Sequence, residues 1–289
     1  MSGAEGAPFG SRTTYRVGGV ADRLVEVESV DDLAEAVEAA STGAVFVLGR
    51  GSNTLVSDHG FPGTVVHLGE AFATIDIDVA SCSVVAGAAA DLPVVSRRTV
   101  EAGLSGFEWA VGVPGSVGGA VRMNAGGHGS DMAASLVAAE VLDLRSGERL
   151  VLGVDDLHYA YRSSSIEPHH LVLSATLALS PGDPASGRAV LRDIVRWRRA
   201  HQPGGANCGS VFTNPSGDSA GRLIEAAGLK GHRRGSAAVS EKHANFIQAD
   251  AGGSADDVAA LIDEVAAAVE RASGVRLESE VRRVGFEDT

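Results

Sequence analysis

The sequence predicts a mixed α and β protein, α+β in kind, divided into an amino-terminal and a carboxy-terminal part. Three observations predict it. The chain opens strand–helix–strand, it turns strand-rich from Thr64 to Ala86, and a turn-forming stretch, Pro181-Gly182-Asp183-Pro184-Ala185-Ser186-Gly187, precedes a helix-bearing last third.

The elements follow in order. Arg23-Leu24-Val25-Glu26-Val27-Glu28 alternates as a half-buried strand, Asp31 to Ala40 has helical spacing, and Val45-Phe46-Val47-Leu48 reads as a buried strand. Thr64 to Leu68, Thr74 to Val79 and Ser83 to Ala86 read as further strands. Asp91-Leu92-Pro93 starts a helix, with Asp91 as its N-cap and proline in the first turn; the helix is expected to end at Gly103. Ala138 to Leu144 and Leu171 to Leu179 are strands on either side of a loop holding Tyr161 and Arg162. Past the turn-forming boundary, Ala189 to about Ala200 is helical. A last helix starts at Ser254, with Asp257 as a capping-box acid and Val258, Leu261, Ile262, Val265 and Val269 as one core stripe.

Composition narrows the function classes. The 289 residues suffice for two or three compact units, and 44% hydrophobic with 21% charged residues fits a globular protein. A net charge of −13 argues against a general nucleic-acid surface, though local arginines can still serve an anionic substrate. Two cysteines, Cys82 and Cys208, are too few for a disulfide framework and fit a reducing cytoplasm. No apolar run reaches membrane-spanning length and the first residues lack the pattern of a signal peptide. His169 and His170 are adjacent but show no partner at metal-ligand spacing, so no metal is expected.

Two glycine-rich segments carry the chemistry. Glu108 to Gly127 is at once apolar and glycine-rich, and therefore poor as a solvated linker. Backbone wrapped around a large, partly anionic cofactor fits it, with main-chain N–H groups as an anion nest; a tight structural corner fits it equally. The second segment, Gly49-Arg50-Gly51-Ser52-Asn53-Thr54, follows directly on a strand. It lacks the Gly-Lys-Ser/Thr ending of a P-loop and the spacing of a Rossmann fingerprint, so a phosphate cradle outside the usual nucleotide folds is expected.

At this point the residues are recognisable. Thr14-Tyr15-Arg16-Val17-Gly18-Gly19, Leu48-Gly49-Arg50-Gly51-Ser52-Asn53, Gly112 to Ala120 with Met123-Asn124-Ala125-Gly126, and Tyr161-Arg162-Ser163-Ser164 come in one order. Cys208-Gly209-Ser210-Val211-Phe212-Thr213-Asn214-Pro215, Ala220 to Glu225, Val239 to Phe246 and Leu277-Glu278-Ser279-Glu280-Val281 follow. In this series the chain resembles, almost end to end, the UDP-N-acetylenolpyruvoylglucosamine reductases in their shorter type. These are flavoenzymes of bacterial peptidoglycan synthesis.

The resemblance implies a vanillyl-alcohol-oxidase-type FAD-binding fold over residues 1–183, in two subdomains of about 1–68 and 69–183. A substrate-binding α+β domain over 184–289 completes it. It implies non-covalent FAD, since Gly49 to Asn53 holds neither histidine nor cysteine, with NADPH as co-substrate, a UDP-sugar as substrate and a monomer in the cytoplasm. Gly49, Arg50, Gly51, Ser52, Asn53 and Thr54, with Gly112, Val113, Pro114, Gly115, Ser116, Gly118, Gly119 and Ala120, would then hold the cofactor.

The same resemblance assigns the chemistry. Ser210 is the expected proton donor, Arg162 the expected grip on the substrate carboxylate, and Glu280 the expected catalytic glutamate. Glu280 is useful either protonated or as a partner that orients Arg162 or a water. Glu278 is its decoy, on the same face of a regular strand. Tyr161, Asn214 and His243 are expected at the substrate; His243 has the second possibility of a core position behind Asn245. The family's Tyr-Arg segment usually continues to a phenylalanine, whereas Ile166 stands here, read as a packing change. Two rival readings are another FAD-dependent oxidase or dehydrogenase of the same fold, and a catalytically silent nucleotide-binding paralogue; the presence of Arg162, Ser210 and Glu280 argues against the second.

Overall fold

The computed structural model describes residues 6–286. In chain order its main elements are β1 (Val20–Val27), α1 (Leu33–Thr42), β2 (Val45–Leu48), β3 (Thr54–Val56), β4 (Phe61–Leu68), β5 (Ile75–Asp78), β6 (Ser83–Gly87) and α2 (Leu92–Glu101). They continue as α3 (Val117–Met123), β7 (Leu136–Asp143), β8 (Arg149–Gly153), β9 (His170–Ala178), α4 (Pro184–His201), α5 (Ala220–Ala226), β10 (Ala237–Val239), β11 (Ile247–Ala249), α6 (Ala255–Ser273) and β12 (Arg282–Val284). Both helices and sheets are present, as the α+β class requires.

Compact units interleave along the chain. One gathers residues 1–23, 51–62 and 199–289, and the other residues 24–50 and 63–198. The second unit holds an antiparallel sheet in the order β8-β7-β9-β6-β5, and β2 pairs in parallel with β4 from Val45↔Thr64 to Leu48↔His67. Central positions pair as small residues, Ala139↔Ala175 and Ala175↔Ala86, which lets Val84, Leu92, Val95, Val117 and Val121 close over the sheet in one core. In the first unit β3 pairs in parallel with β12, and β10 with β11 antiparallel. Its core is built on α6, whose predicted stripe Val258, Leu261, Ile262, Val265 and Val269 is at most 1% exposed.

Three local readings change. The Asp91 carboxylate makes no cap bond to α2; it pairs instead with Arg50 Nε at 2.8 Å, a partner that the local sequence does not reveal. Pro184 to Gly187 is not a loop but the first turn of α4. The Asp183 carboxylate accepts the Ser186 N–H at 2.8 Å, and a Cβ on Gly187 would meet Val100 Cγ1 at 2.7 Å. Turn formers start helices as readily as they break them. Ser254 caps α6 as expected, but the Asp257 carboxylate turns away and accepts the Ser236 N–H at 2.7 Å.

Candidate functional site

A cleft of about 220 Å³ lies wholly within the unit of residues 24–50 and 63–198. Its lining joins the two glycine segments: Gly49 and Arg50 after β2 meet Ser116, Gly118 and Gly119 at the start of α3. Close approach explains the glycines. A Cβ on Gly49 would stand 2.7 Å from Ser116 Oγ, and one on Gly118 would stand 2.9 Å from Ala88 Cβ. Gly119 differs: a Cβ there would find only Ser116 Oγ, at 3.6 Å, so its α-carbon opens on space. Ser116 also caps α3, its hydroxyl accepting the Gly119 N–H at 3.5 Å.

The remaining predicted cofactor residues are placed as follows. Gly112 and Ala120 are buried, and Gly115 O accepts the Leu92 N–H at 3.0 Å, tying the segment to α2. Val113 and Pro114 join the short helical turn over Glu108–Gly112 to α3. Gly51, Ser52, Asn53 and Thr54 belong to the other unit. There Thr14 N–H donates to Gly51 O at 3.0 Å, and Asn53 Nδ2 donates to Glu280 O at 2.9 Å.

Several cleft residues escaped the sequence reading: Glu26, Glu28, His67, Ala88, Arg122 and His170. They come from strands and a helix whose local pattern reads as ordinary structure. Ile166, the departure noted at the Tyr-Arg segment, is 5% exposed and lines the cleft. The mix suits FAD. Arg50 and Arg122 answer a diphosphate, while Leu48, Ala88, Ala89, Ile166, Leu171 and Val172 answer flat apolar rings.

Arg162 sits in the loop between β8 and β9 with a backbone φ of 55°, a left-handed conformation rare outside glycine. Its Nη2 donates to Gly126 O at 2.8 Å and its Nη1 to Asn124 O at 3.4 Å, and its guanidinium lies 5.1 Å from the centroid of the exposed Tyr161 ring. Tyr161 thus stacks on Arg162.

In the other unit, Ser210 is exposed between buried Cys208 and buried Val211 and Phe212. Asn245, 4% exposed, clamps this loop from behind. Its Oδ1 accepts the Phe212 N–H at 3.0 Å and its Nδ2 donates to Phe212 O at 2.9 Å. Glu280 N–H donates to Val211 O at 2.8 Å, one residue from Ser210, so the two sequence-distant candidates share a backbone link. Residues around Glu278 and Glu280 form an isolated bridge, Phe212↔Ser279, so the shared face that a regular strand would give them does not apply; Glu278 is exposed and Glu280 only partly so. Asn214 serves a turn, Oδ1 accepting the Ala220 N–H at 3.0 Å at the start of α5. His243 is half-buried, packs edge-on against Phe246 at 4.8 Å between ring centroids, and accepts the Asn245 N–H on Nδ1 at 3.2 Å. Burial pushes its imidazole below the ordinary value, so it is neutral at pH 7.

His169 and His170 do have a carboxylate neighbour. Register Asp143↔His170 brings Asp143 Oδ1 to 4.0 Å from His169 Nε2, and the three side chains cluster closely enough to be weighed as metal ligands. Two of them already have structural work. His170 Nδ1 accepts the Glu167 N–H at 3.1 Å, and Asp143 Oδ1 accepts the Arg145 N–H at 2.7 Å.

Burial pushes the Cys208 thiol up to about 12 from 9.0. At pH 8 one thiol of the native protein, Cys82, should react with a chromogenic disulfide, and both should react after denaturation. The linkage has a definite sign. The folded pKa is raised, so stability holds below about pH 9 and falls as pH climbs toward 12 while the unfolded chain ionises first. Cys208→Ala should flatten that alkaline loss in denaturant titrations.

A profile of the FAD binding domain matches residues 21–153, and one of the UDP-N-acetylenolpyruvoylglucosamine reductase C-terminal domain matches residues 201–284. The UDP-N-acetylenolpyruvoylglucosamine reductase of Paramagnetospirillum magneticum is 43% identical over 97% of this chain and 91% of its own length. That of Symbiobacterium thermophilum designated reductase 2 is 44% identical over 95% and 90%. The crystal structure of UDP-N-acetylenolpyruvylglucosamine reductase from Thermus caldophilus superposes with a TM-score of 0.82 at 36% identity, covering 95% of this chain and 96% of that one. The cleft, the two profiles in their order and the identity across nearly the whole length agree: the chain belongs to the UDP-N-acetylenolpyruvoylglucosamine reductase family, and its cofactor is FAD.

Proposed function

We propose that the protein reduces the enolpyruvyl double bond of UDP-N-acetylglucosamine enolpyruvate, giving UDP-N-acetylmuramate for peptidoglycan synthesis, with NADPH as reductant. Identity to reductases of that name over 97% of the chain is the observation that carries this reading. When bound, FAD supplies a two-electron carrier that accepts hydride from NADPH and passes it to C3 of the enolpyruvyl group.

The protein's own residues hold the reactants and manage charge and protons. Gly49, Arg50, Ser116, Gly118, Gly119 and Arg122 hold the polar part of the cofactor in the cleft. Arg162 grips the substrate carboxylate with its planar guanidinium and opposes the negative charge that develops there. Ser210, exposed on a clamped loop, gives its hydroxyl proton to C2. A serine is a weak acid, so the transfer depends on the strong base that hydride addition creates. Glu280 stands behind this step as acid or as orienting partner, and Tyr161, Asn214 and His243 contact the substrate. On this reading FAD binding belongs mainly to residues 1–183 and substrate binding to 184–289, a division that the profile ranges 21–153 and 201–284 support. Among the described residues no helix is long and apolar enough to cross a membrane. A cytoplasmic monomer is proposed with the activity, since UDP-sugars and NADPH are cytoplasmic pools.

Product analysis tests the reading. Incubation with NADPH and UDP-N-acetylglucosamine enolpyruvate should yield a UDP-sugar heavier by two hydrogens that co-migrates with UDP-N-acetylmuramate. An unchanged substrate in the presence of an FAD-loaded protein that oxidises NADPH would point to another reductase or oxidase chemistry on the same fold.

A further inference from the structure

Asn124 ends α3 and is 5% exposed, with φ 41° and ψ 55° in the left-handed region. That conformation reverses the chain into the short hairpin of Gly126–Gly127 and Ser130–Asp131. The side chain is fully engaged in three directions. Nδ2 donates to Ala160 O at 3.1 Å and to Asp131 Oδ2 at 3.3 Å, and Oδ1 accepts the Ala133 N–H at 3.0 Å.

Ala160 is the hinge of the Arg162 turn. Ala160 and Ser163 exchange N–H···O bonds of 3.1 and 3.2 Å, which closes the backbone around Tyr161 and Arg162 and holds Arg162 at its positive φ. The carbonyl of Asn124 then receives Arg162 Nη1 at 3.4 Å, and that of Gly126, on the strand it launches, receives Nη2 at 2.8 Å. One residue therefore holds the backbone of Arg162 through its amide and the guanidinium through its carbonyl. The strained loop gets this support from a helix end some 36 residues away in sequence.

We propose that Asn124 is a positioning residue: its amide and left-handed backbone aim Arg162 at the carboxylate of the acidic substrate. The inference rests on the role given to Arg162 above. A guanidinium misaimed by an ångström loses its forked grip, while the FAD cleft, which Asn124 does not line, is left intact.

Two substitutions separate the backbone from the amide. Asn124→Gly keeps the left-handed turn and removes the amide; glycine is favoured at this helix end, so the variant should fold. Asn124→Asp keeps the shape but replaces the donor by an acceptor facing Ala160 O and Asp131 Oδ2. Anaerobic stopped-flow should find both FAD-loaded and reduced by NADPH within about threefold of the parent rate. Reoxidation by UDP-N-acetylglucosamine enolpyruvate should fall about ten- to hundredfold, as expected for a mispositioned catalytic group. The deciding readout is the double-mutant cycle with Arg162→Ala. If Asn124 acts through Arg162, Asn124→Gly costs almost nothing more once Arg162 is gone.

An equal further loss in the Arg162→Ala background, or equal slowing of both half-reactions with reduced thermal stability, would make Asn124 merely structural and overturn the proposal. If Arg162→Ala itself reoxidises at the parent rate, the role of Arg162 fails instead, and the proposal falls with it. Normal reoxidation in Asn124→Gly beside a slow Arg162→Ala would defeat the inference alone.

Discussion

Ser210→Ala should remain yellow and take electrons from NADPH at the parent rate, yet lose its second half-reaction by about two orders of magnitude or more, the range of a missing general acid. Only the hydroxyl is removed. Ser210 is exposed, and its loop is held by the buried Val211, Phe212 and Asn245, so the cost to folding should stay within about 0.5 kcal/mol. A slow second step therefore cannot be attributed to a collapsed loop. Sequential mixing, with NADPH first and the enolpyruvyl substrate second, isolates the step. Normal reoxidation would move the proton donor elsewhere, with Glu280, whose N–H reaches Val211 O at 2.8 Å, as the neighbour to test next.

Gly119→Leu should give a folded protein that loses bound flavin on dialysis. The position is helical, where leucine is intrinsically favoured over glycine, and a Cβ there meets nothing closer than Ser116 Oγ at 3.6 Å. Its side chain must then grow into the cleft that Gly119 lines and take the place of the cofactor. Overpacking costs about 1–3 kcal/mol where neighbours can shift, which corresponds to roughly 5- to 150-fold in FAD affinity. Gly119→Ala should lose much less. The absorbance of bound flavin after dialysis against FAD, beside circular dichroism for the fold, decides it. A Gly119→Leu protein with a full complement of flavin would mean that FAD does not occupy this cleft.

Legibility in the sequence depended on how local the determining physics was. Strand β2 lies over Val45–Leu48 as read, because four apolar residues followed by glycine have few alternatives. The stripe on α6 was legible because helical spacing alone selects its buried face. Asp91 stands at the N-cap of α2 as read, but its carboxylate pairs with Arg50, 41 positions away, because only the fold decides between two uses of one carboxylate. Similarly, Pro184 to Gly187 contains turn chemistry that also begins helices; Asp183 and the contact of Gly187 with Val100 settled the choice.

The site divides in the same way. Ser210, Arg162 and Glu280 are candidates through the family resemblance of their ordered motifs; side-chain chemistry alone does not single them out. Asn124 stood within a quoted motif, yet its use was invisible, since its partners at Ala160 and Ala133 are backbone groups without a signature. Asp143 escaped for a related reason. Its proximity to His169 is produced by the pairing of β7 with β9, which no spacing along the chain encodes.

FAD in this protein carries hydride from NADPH to the enolpyruvyl group of a UDP-sugar, and anaerobic stopped-flow absorbance reads that transfer. The protein should be bleached by NADPH, and subsequent mixing with UDP-N-acetylglucosamine enolpyruvate should restore the oxidised spectrum rapidly, with UDP-N-acetylmuramate formed in equal amount. Flavin that stays reduced after the substrate is added, in protein that carries FAD, would mean that the enolpyruvyl group is not its hydride acceptor.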